Sequence, residues 1–234
     1  MGGLYEVRRL AQQSLAIDPN NARCYALLAN TYITAWVNRL DNDFLSPGAL
    51  AQAHQLARKA IEFDPNLPEA HISLAFALVF RREHDASIAA LERAVALNPN
   101  YVDWRFGYPL VLAGQARRAI DVLDAYMRLD PLSAPHTSCF LGLAHYMLKE
   151  YPQALAALRE CVSRVPTYRS ARAWLAATYA QLGQMEDARA EAAALVRIEP
   201  GYTITGVSKH IVGFKSSNDD KHFFDGLHKA GLPK

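Results

Sequence analysis

An all-α solenoid is the fold class this sequence predicts: antiparallel helix pairs wound into a right-handed superhelix and closed by a C-terminal capping helix. Three observations predict it. Prolines return near a fixed period: Pro65 to Pro99 and Pro166 to Pro200 each span 34 residues, Pro99 to Pro131 spans 32 and Pro131 to Pro166 spans 35. Twelve residues before each closing proline stands Val7, Ala53, Ser87, Ala119, Ala154 or Ala188, small in all but the first. Within each period, apolar residues recur three and four apart in two runs, the spacing that lines one face of a helix. No single pair could bury such a stripe; stacked copies could.

The copy closing at Pro200 shows the pattern most plainly. Leu175, Ala176 and Tyr179 share one helix face, Ala188, Ala192 and Leu195 share another, and Gly183 divides the two runs. Ala176 and Ala188 let the two helices approach closely where they cross. An acid or amide precedes the proline in most copies, as Asp18, Asp64, Asn98, Asp130 and Glu199.

In chain order, residues 4–17 match only the second helix of a pair, closed by Asp18-Pro19. A solenoid ordinarily begins on a capping element with a polar outer face, so we expect the native chain to continue upstream of Met1. Pro19 to Pro65 spans 46 residues, an insertion of about twelve. Trp36, Leu40 and Phe44 keep a spacing of four, which predicts a first helix that runs on past Tyr32. Ser46-Pro47 reads as a cap and first helical residue for a long second helix ending at Phe63. Pro68 opens the next pair, whose second helix turns Ile88, Leu91, Val95 and Leu97 to the core. The third copy is two residues short, and Pro109 removes a backbone donor, so its first helix starts late or kinks. In the fourth, residues 135–148 pair with 151–164, and Cys161 takes a packing position. Residues 203–212 carry Ile204, Val207 and Ile211 at helical spacing. A last helix begins at Ser217, with Asp220 three residues on, carries Phe223, Phe224 and Leu227, and stops before Gly231 and Pro233.

A period near 34, two helices per unit and small residues at fixed phase resemble the tetratricopeptide repeat. The leucine–glycine–tyrosine signature of that family's first helix stands here as Leu28-Ala29-Tyr32, Leu74-Ala75-Leu78, Leu141-Gly142-His145 and Leu175-Ala176-Tyr179. The third copy departs from it, with Tyr108-Pro109 in that neighbourhood. The resemblance divides the chain into a half repeat at 1–21, five units at 22–65, 68–99, 102–131, 132–166 and 167–200, and a helical cap at 201–234. The closing run from Phe224 to Pro233 is similar to the tail of tetratricopeptide regions in bacterial adenylate-cyclase-associated proteins and winged-helix regulators.

Bulk properties narrow the function. The 234 residues are 51% hydrophobic, with 25 basic and 23 acidic side chains and a net charge of +2. That balance gives no general attraction to nucleic acid or to an anionic membrane. No apolar run reaches bilayer length, and the start carries no signal-peptide pattern. Cys24, Cys139 and Cys161 are too few and scattered for a disulfide framework, which fits a reducing cytoplasm. No two of the eight histidines stand four apart, and no cysteine lies at chelating distance from another. Gly213-Phe214-Lys215-Ser216 lacks the glycine–lysine adjacency of a phosphate loop. We therefore expect no catalytic constellation, no metal and no cofactor.

Function is expected in the concave groove that the resemblance implies, lined by the first helix of each unit. Asn30, Ile33, Ile72, Phe76, Val79, Phe106, Cys139, Leu143 and Tyr146 fall on that side. Most are apolar, and an exposed strip of that length exceeds the few hundred Å² that usually mark a binding site. The expected role is a cytoplasmic protein–protein interaction scaffold that holds an apolar peptide or helix. The occupant would be a partner, a second copy or an upstream part of a larger bacterial signalling protein. The alternative is a small-molecule sensor that controls an attached cyclase or DNA-binding domain. Grip on a chaperone-tail carboxylate is rejected, because Ala26, Ser73 and Asp103 replace the expected cations and only Asn30 fits.

Overall fold

The computed structural model describes residues 2–38, 48–101, 103–130, 132, 135–206 and 213–234, and every regular element among them is helical. The chain divides into two compact units, Met1–Tyr101 and Val102–Lys234. The first holds α1 (Gly2–Ile17), α2 (Ala22–Asn38), α3 (Ala49–Phe63), α4 (Pro68–Phe80) and α5 (His84–Leu97). The second opens with a 3-10 turn at Trp104–Phe106. It continues with α6 (Gly107–Leu112), α7 (Ala116–Leu129), α8 (His136–Met147), α9 (Tyr151–Arg164), α10 (Arg169–Gln181), α11 (Met185–Ile198) and α12 (Ser217–Lys229). The pairs α2–α3, α4–α5, α6–α7, α8–α9 and α10–α11 pack as hairpins, and within each unit the first helices also meet, α2 with α4 in one and α6 with α8 and α8 with α10 in the other. This is the predicted all-α arrangement of helix pairs.

Small residues set the crossings. Ala53, Ser87, Ala119, Ala154 and Ala188 have no exposed surface, whereas Val7 on α1 is half-buried. Ser87 keeps its hydroxyl satisfied by donating to the Ala75 carbonyl across the hairpin at 2.7 Å. Gly142 exists for the same reason: a Cβ there would stand 2.5 Å from Leu158 Cγ. Gly107 would place a Cβ 2.8 Å from Leu123, again sixteen residues further on. Gly107 is thus the signature glycine of the third repeat, one residue before the Tyr108-Pro109 at which the sequence departs from the family pattern. Pro109 sits inside α6, which is only six residues long and preceded by the 3-10 turn.

The turns follow two rules. Inside each of four hairpins the second residue past the first helix is left-handed: Arg82 (φ 64), Gly114 (φ 80), Lys149 (φ 61) and Gly183 (φ 75). Between repeats, the side chains of Asp18, Asp64 and Asn98 accept from the backbone N–H two residues on, at 3.1, 3.0 and 3.1 Å. These local bonds stop the second helix and hold the proline turn. The carbonyl of the proline is then held by a side chain six residues later. Tyr25 donates to Pro19 at 3.0 Å, His71 Nε2 lies 3.0 Å from the Pro65 carbonyl, and Arg172 donates to Pro166 at 2.6 Å.

Some expectations are corrected. Val95 is exposed and Leu97 only half-buried; Ser87, Ile88, Leu91 and Ala94 form the buried face of α5. The last helix is capped by Ser216, whose Oγ accepts from the Asn218 N–H at 3.2 Å, one residue before the expected Ser217. Asp220 reaches back instead to accept from the Phe214 N–H at 3.1 Å. Leu40, Phe44, Ser46-Pro47, Val207 and Ile211 lie outside the described residues; Ile204 begins a helical stretch at 204–206.

Candidate functional site

In the first unit, Asn30 and Ile33 sit on α2, and Ile72, Phe76 and Val79 on α4. Asn30 is half-exposed, but the other four are buried, Ile72 completely. Phe76 packs its ring 6.2 Å from Phe80, which in turn lies 5.2 Å from Trp36. Ala26 and Ser73 are buried too, and the Ser73 hydroxyl is committed to the Ala26 and Glu69 carbonyls. These apolar residues are interhelical packing, not the wetted strip expected from the sequence. Neighbouring first helices approach each other closely enough to bury the face between them.

The second unit departs further from expectation. Phe106, one residue before Gly107, is in register with Leu141; Trp104 and Tyr108 occupy the positions that correspond to Cys139 and Leu143. Phe106 is accordingly a core residue. Cys139 is joined to Cys161 by a disulfide between α8 and α9, with Cα atoms 5.1 Å apart. The reading of both as free thiols is therefore overturned: hairpin geometry brings together two cysteines separated by 22 residues in the sequence. Cys24 remains free and half-buried. Asp103 is tied to Arg105, which offers it both side-chain and backbone donors.

Leu143 and Tyr146 are buried, and what covers Tyr146 is α12 of the same chain. Tyr146 stacks on His222 with centroids 4.8 Å apart and meets Phe223 edge-on at 6.1 Å. Its hydroxyl donates to the His222 carbonyl at 3.2 Å. Gly226 makes the closest crossing, where a Cβ would lie 2.3 Å from Tyr146 Oη and 2.9 Å from Ala177 Cβ. Ala230 packs with Ala176, Ala180 and Ala188. At the other end of the cap segment, the Lys215 N–H donates to the Leu112 carbonyl at 2.8 Å. The cap helix thus runs across the C-terminal ends of α8 and α10, with Lys215 just before it bonded to the end of α6, so the segment lies over the first helices and not only over the end of the last repeat.

The N-terminal ends of the same first helices carry an aromatic row. Trp104 stacks on His136 at 5.1 Å and on Phe140 at 5.7 Å, and His136 meets Tyr168 edge-on at 5.0 Å. Tyr108 and Trp174 back this row from the core. Trp104, His136 and Tyr168 remain half-exposed. Burial pushes the Tyr168 hydroxyl up to about 12 and holds the His136 and His222 imidazoles below their ordinary value. Neutral rings of this kind suit apolar contact. Among the described residues no three His, Cys, Asp or Glu side chains are grouped to hold a metal, and no helix is long and apolar enough to cross a membrane.

Comparison with known proteins agrees with this geometry. Tetratricopeptide-repeat models match residues 68–101 and 145–203. The transcriptional regulator HilA of Salmonella typhimurium is 27% identical over 146 residues, covering 61% of this chain and 26% of the regulator. The putative adenylate cyclase 3 of Rhizobium meliloti is 36% identical over 80 residues, 34% of this chain and 13% of the cyclase. The chain thus spans about a quarter or less of the length of these relatives. Among solved structures, TTC0263, a tetratricopeptide protein of Thermus thermophilus, covers 84% of this chain with 99% of its own (TM-score 0.57, 20% identity). The pilus biogenesis factor PilW covers 86% with 92% of its own (TM-score 0.59, 15% identity). With two matched stretches of repeat, recurring helix hairpins and a fold shared with tetratricopeptide proteins, the chain carries tetratricopeptide repeats.

Proposed function

We propose that this chain is a non-catalytic interaction scaffold that holds an apolar peptide or helix against its first helices, as one part of a larger bacterial regulatory protein. One observation carries the reading: first helices of the second unit already hold the apolar face of an amphipathic helix, with Phe223 and Leu227 fully buried. The half-exposed row of Trp104, His136 and Tyr168 extends the receptive surface along the same helices, and Asn30 is its polar counterpart in the first unit. Similarity to part of a transcriptional regulator and to part of a cyclase supports a role beside an output domain. The sensor reading draws on the same aromatic row, whose stacked rings could hold a planar molecule. Quenching of Trp104 fluorescence by a metabolite, with no peptide effect, would favour it.

A photo-crosslinking residue placed at Asn30 or His136, in cells of the source organism, tests the scaffold. Both positions should give defined protein adducts, and exposed Glu92 on α5 should give none. Equal adducts from all three, or none from the first two, would contradict it.

A further inference from the structure

We propose that α12 is a resident ligand: the surface of α8 and α10 beneath it is a helix-binding site that also accepts, in trans, an amphipathic helix of the same chemistry. The inference rests on the scaffold reading and names the class of partner. The occupant's chemistry can be read from α12 itself. Phe223 and Leu227 enter the surface fully, with Ala230 beside them. Between them Gly226 admits the Tyr146 hydroxyl, at a crossing where even a methyl group would collide. A competing helix must therefore present an aromatic residue, a glycine three positions later, a leucine immediately after it, and a small residue three beyond that.

Two further features separate α12 from the helices that build the repeats. Its seat lies across α10 and α8, with Lys215 just before it bonded to the end of α6, whereas every repeat helix packs mainly against its sequence neighbours. Its outward face carries Lys221, Asp225 and Lys229, with an ion pair of 2.6 Å between the last two, so the released helix is itself compatible with water. Most side-chain contacts that hold it are peripheral. Gln181 bonds to Asp225 and accepts from Lys229 at 3.3 and 3.2 Å, both exposed, and His222 Nε2 stands 3.4 Å from the Tyr146 carbonyl. Water replaces bonds of this kind at little cost. What an incoming helix must match is the apolar insertion and the glycine crossing.

The test uses the full chain and a fluorescent peptide with the sequence of residues 214–234. Gly226→Val drives a side chain into Tyr146 and Ala177, expelling α12 while leaving every residue of its seat unchanged. The peptide should bind this variant at least ten times more tightly than it binds the wild-type chain, and a peptide carrying the same Gly226→Val change should bind neither. Equal affinity for the two chains, or no binding to the variant, overturns the proposal. So does loss of the repeat helices in the variant by circular dichroism, because α12 would then be core. Hydrogen exchange on the wild-type chain gives an independent reading: amides of α12 should exchange at least tenfold faster than those of α8 to α11, and equal protection overturns the proposal. Adducts at Asn30 and His136, which lie off the α12 seat, would persist if the scaffold reading holds and only this inference fails.

Discussion

At Ala188 a single methyl group sits with no exposed surface among Ala176, Ala180 and Ala230. Ala188→Leu forces extra carbons into that filled crossing and should cost about 1–3 kcal/mol. Arg189→Leu next to it, on the exposed side, should cost far less, and urea titration of both variants measures the difference. Gly183 isolates a backbone effect, since a Cβ there meets nothing within 4 Å but φ is +75°. Gly183→Ala should therefore lose about 1–2 kcal/mol through conformation alone. The small residues at 53, 87, 119, 154 and 188 were legible in the sequence because one spacing repeats and the physical demand at each crossing is the same. Gly107 was not, since Tyr108-Pro109 beside it breaks the leucine–glycine–tyrosine pattern in that copy. The side chains that hold the Pro19, Pro65 and Pro166 carbonyls also escaped notice. Tyrosine, histidine and arginine share no class that a residue-type search would group, although all three stand six positions after the proline.

Among the elements, the hairpin of α8 and α9 carries a covalent tie that spacing alone could not reveal. A bridge between residues 22 apart restricts the unfolded chain by roughly 3 kcal/mol in the loop-entropy account. Cys161→Ala should lower the midpoint of urea unfolding under oxidising conditions by a comparable free energy, and much less in the presence of dithiothreitol. Groove positions on α4 and α8 were read correctly as apolar and incorrectly as wet. Helical periodicity reports which side chains share a face, but not how near the next helix comes. Phe76→Glu with Leu143→Glu places a carboxylate in each of two buried sites, at a cost of several kcal/mol apiece. The expected outcome is loss of helix by circular dichroism. A double variant that keeps its fold while losing partner binding would restore the original reading.

On the scale of the whole molecule, acid is the simplest probe. Burial lowers the His136 and His222 imidazoles from the ordinary value near 6.5, so the unfolded chain takes up protons first. Their contribution is complete above about pH 6.5 and is lost as pH falls through that value toward their folded-state values. Unfolding midpoints in urea should drop between pH 7.5 and 5.5, and His222→Gln should drop less over the same interval.

The cap helix also acts as a ruler. At about 1.5 Å per residue, the thirteen residues of α12 reach roughly 20 Å, close to two interhelical spacings of about 8–10 Å, and with Lys215 just before it the segment reaches from the end of α6 to α8 and α10. An open array of repeats can gain or lose a copy by duplication or deletion, because each copy answers only to its neighbours. In this unit a duplicated copy would strand one end of the ruler, and a deleted one would leave it overhanging. A related chain with one copy more or fewer in this unit should therefore carry a cap helix about six residues longer or shorter.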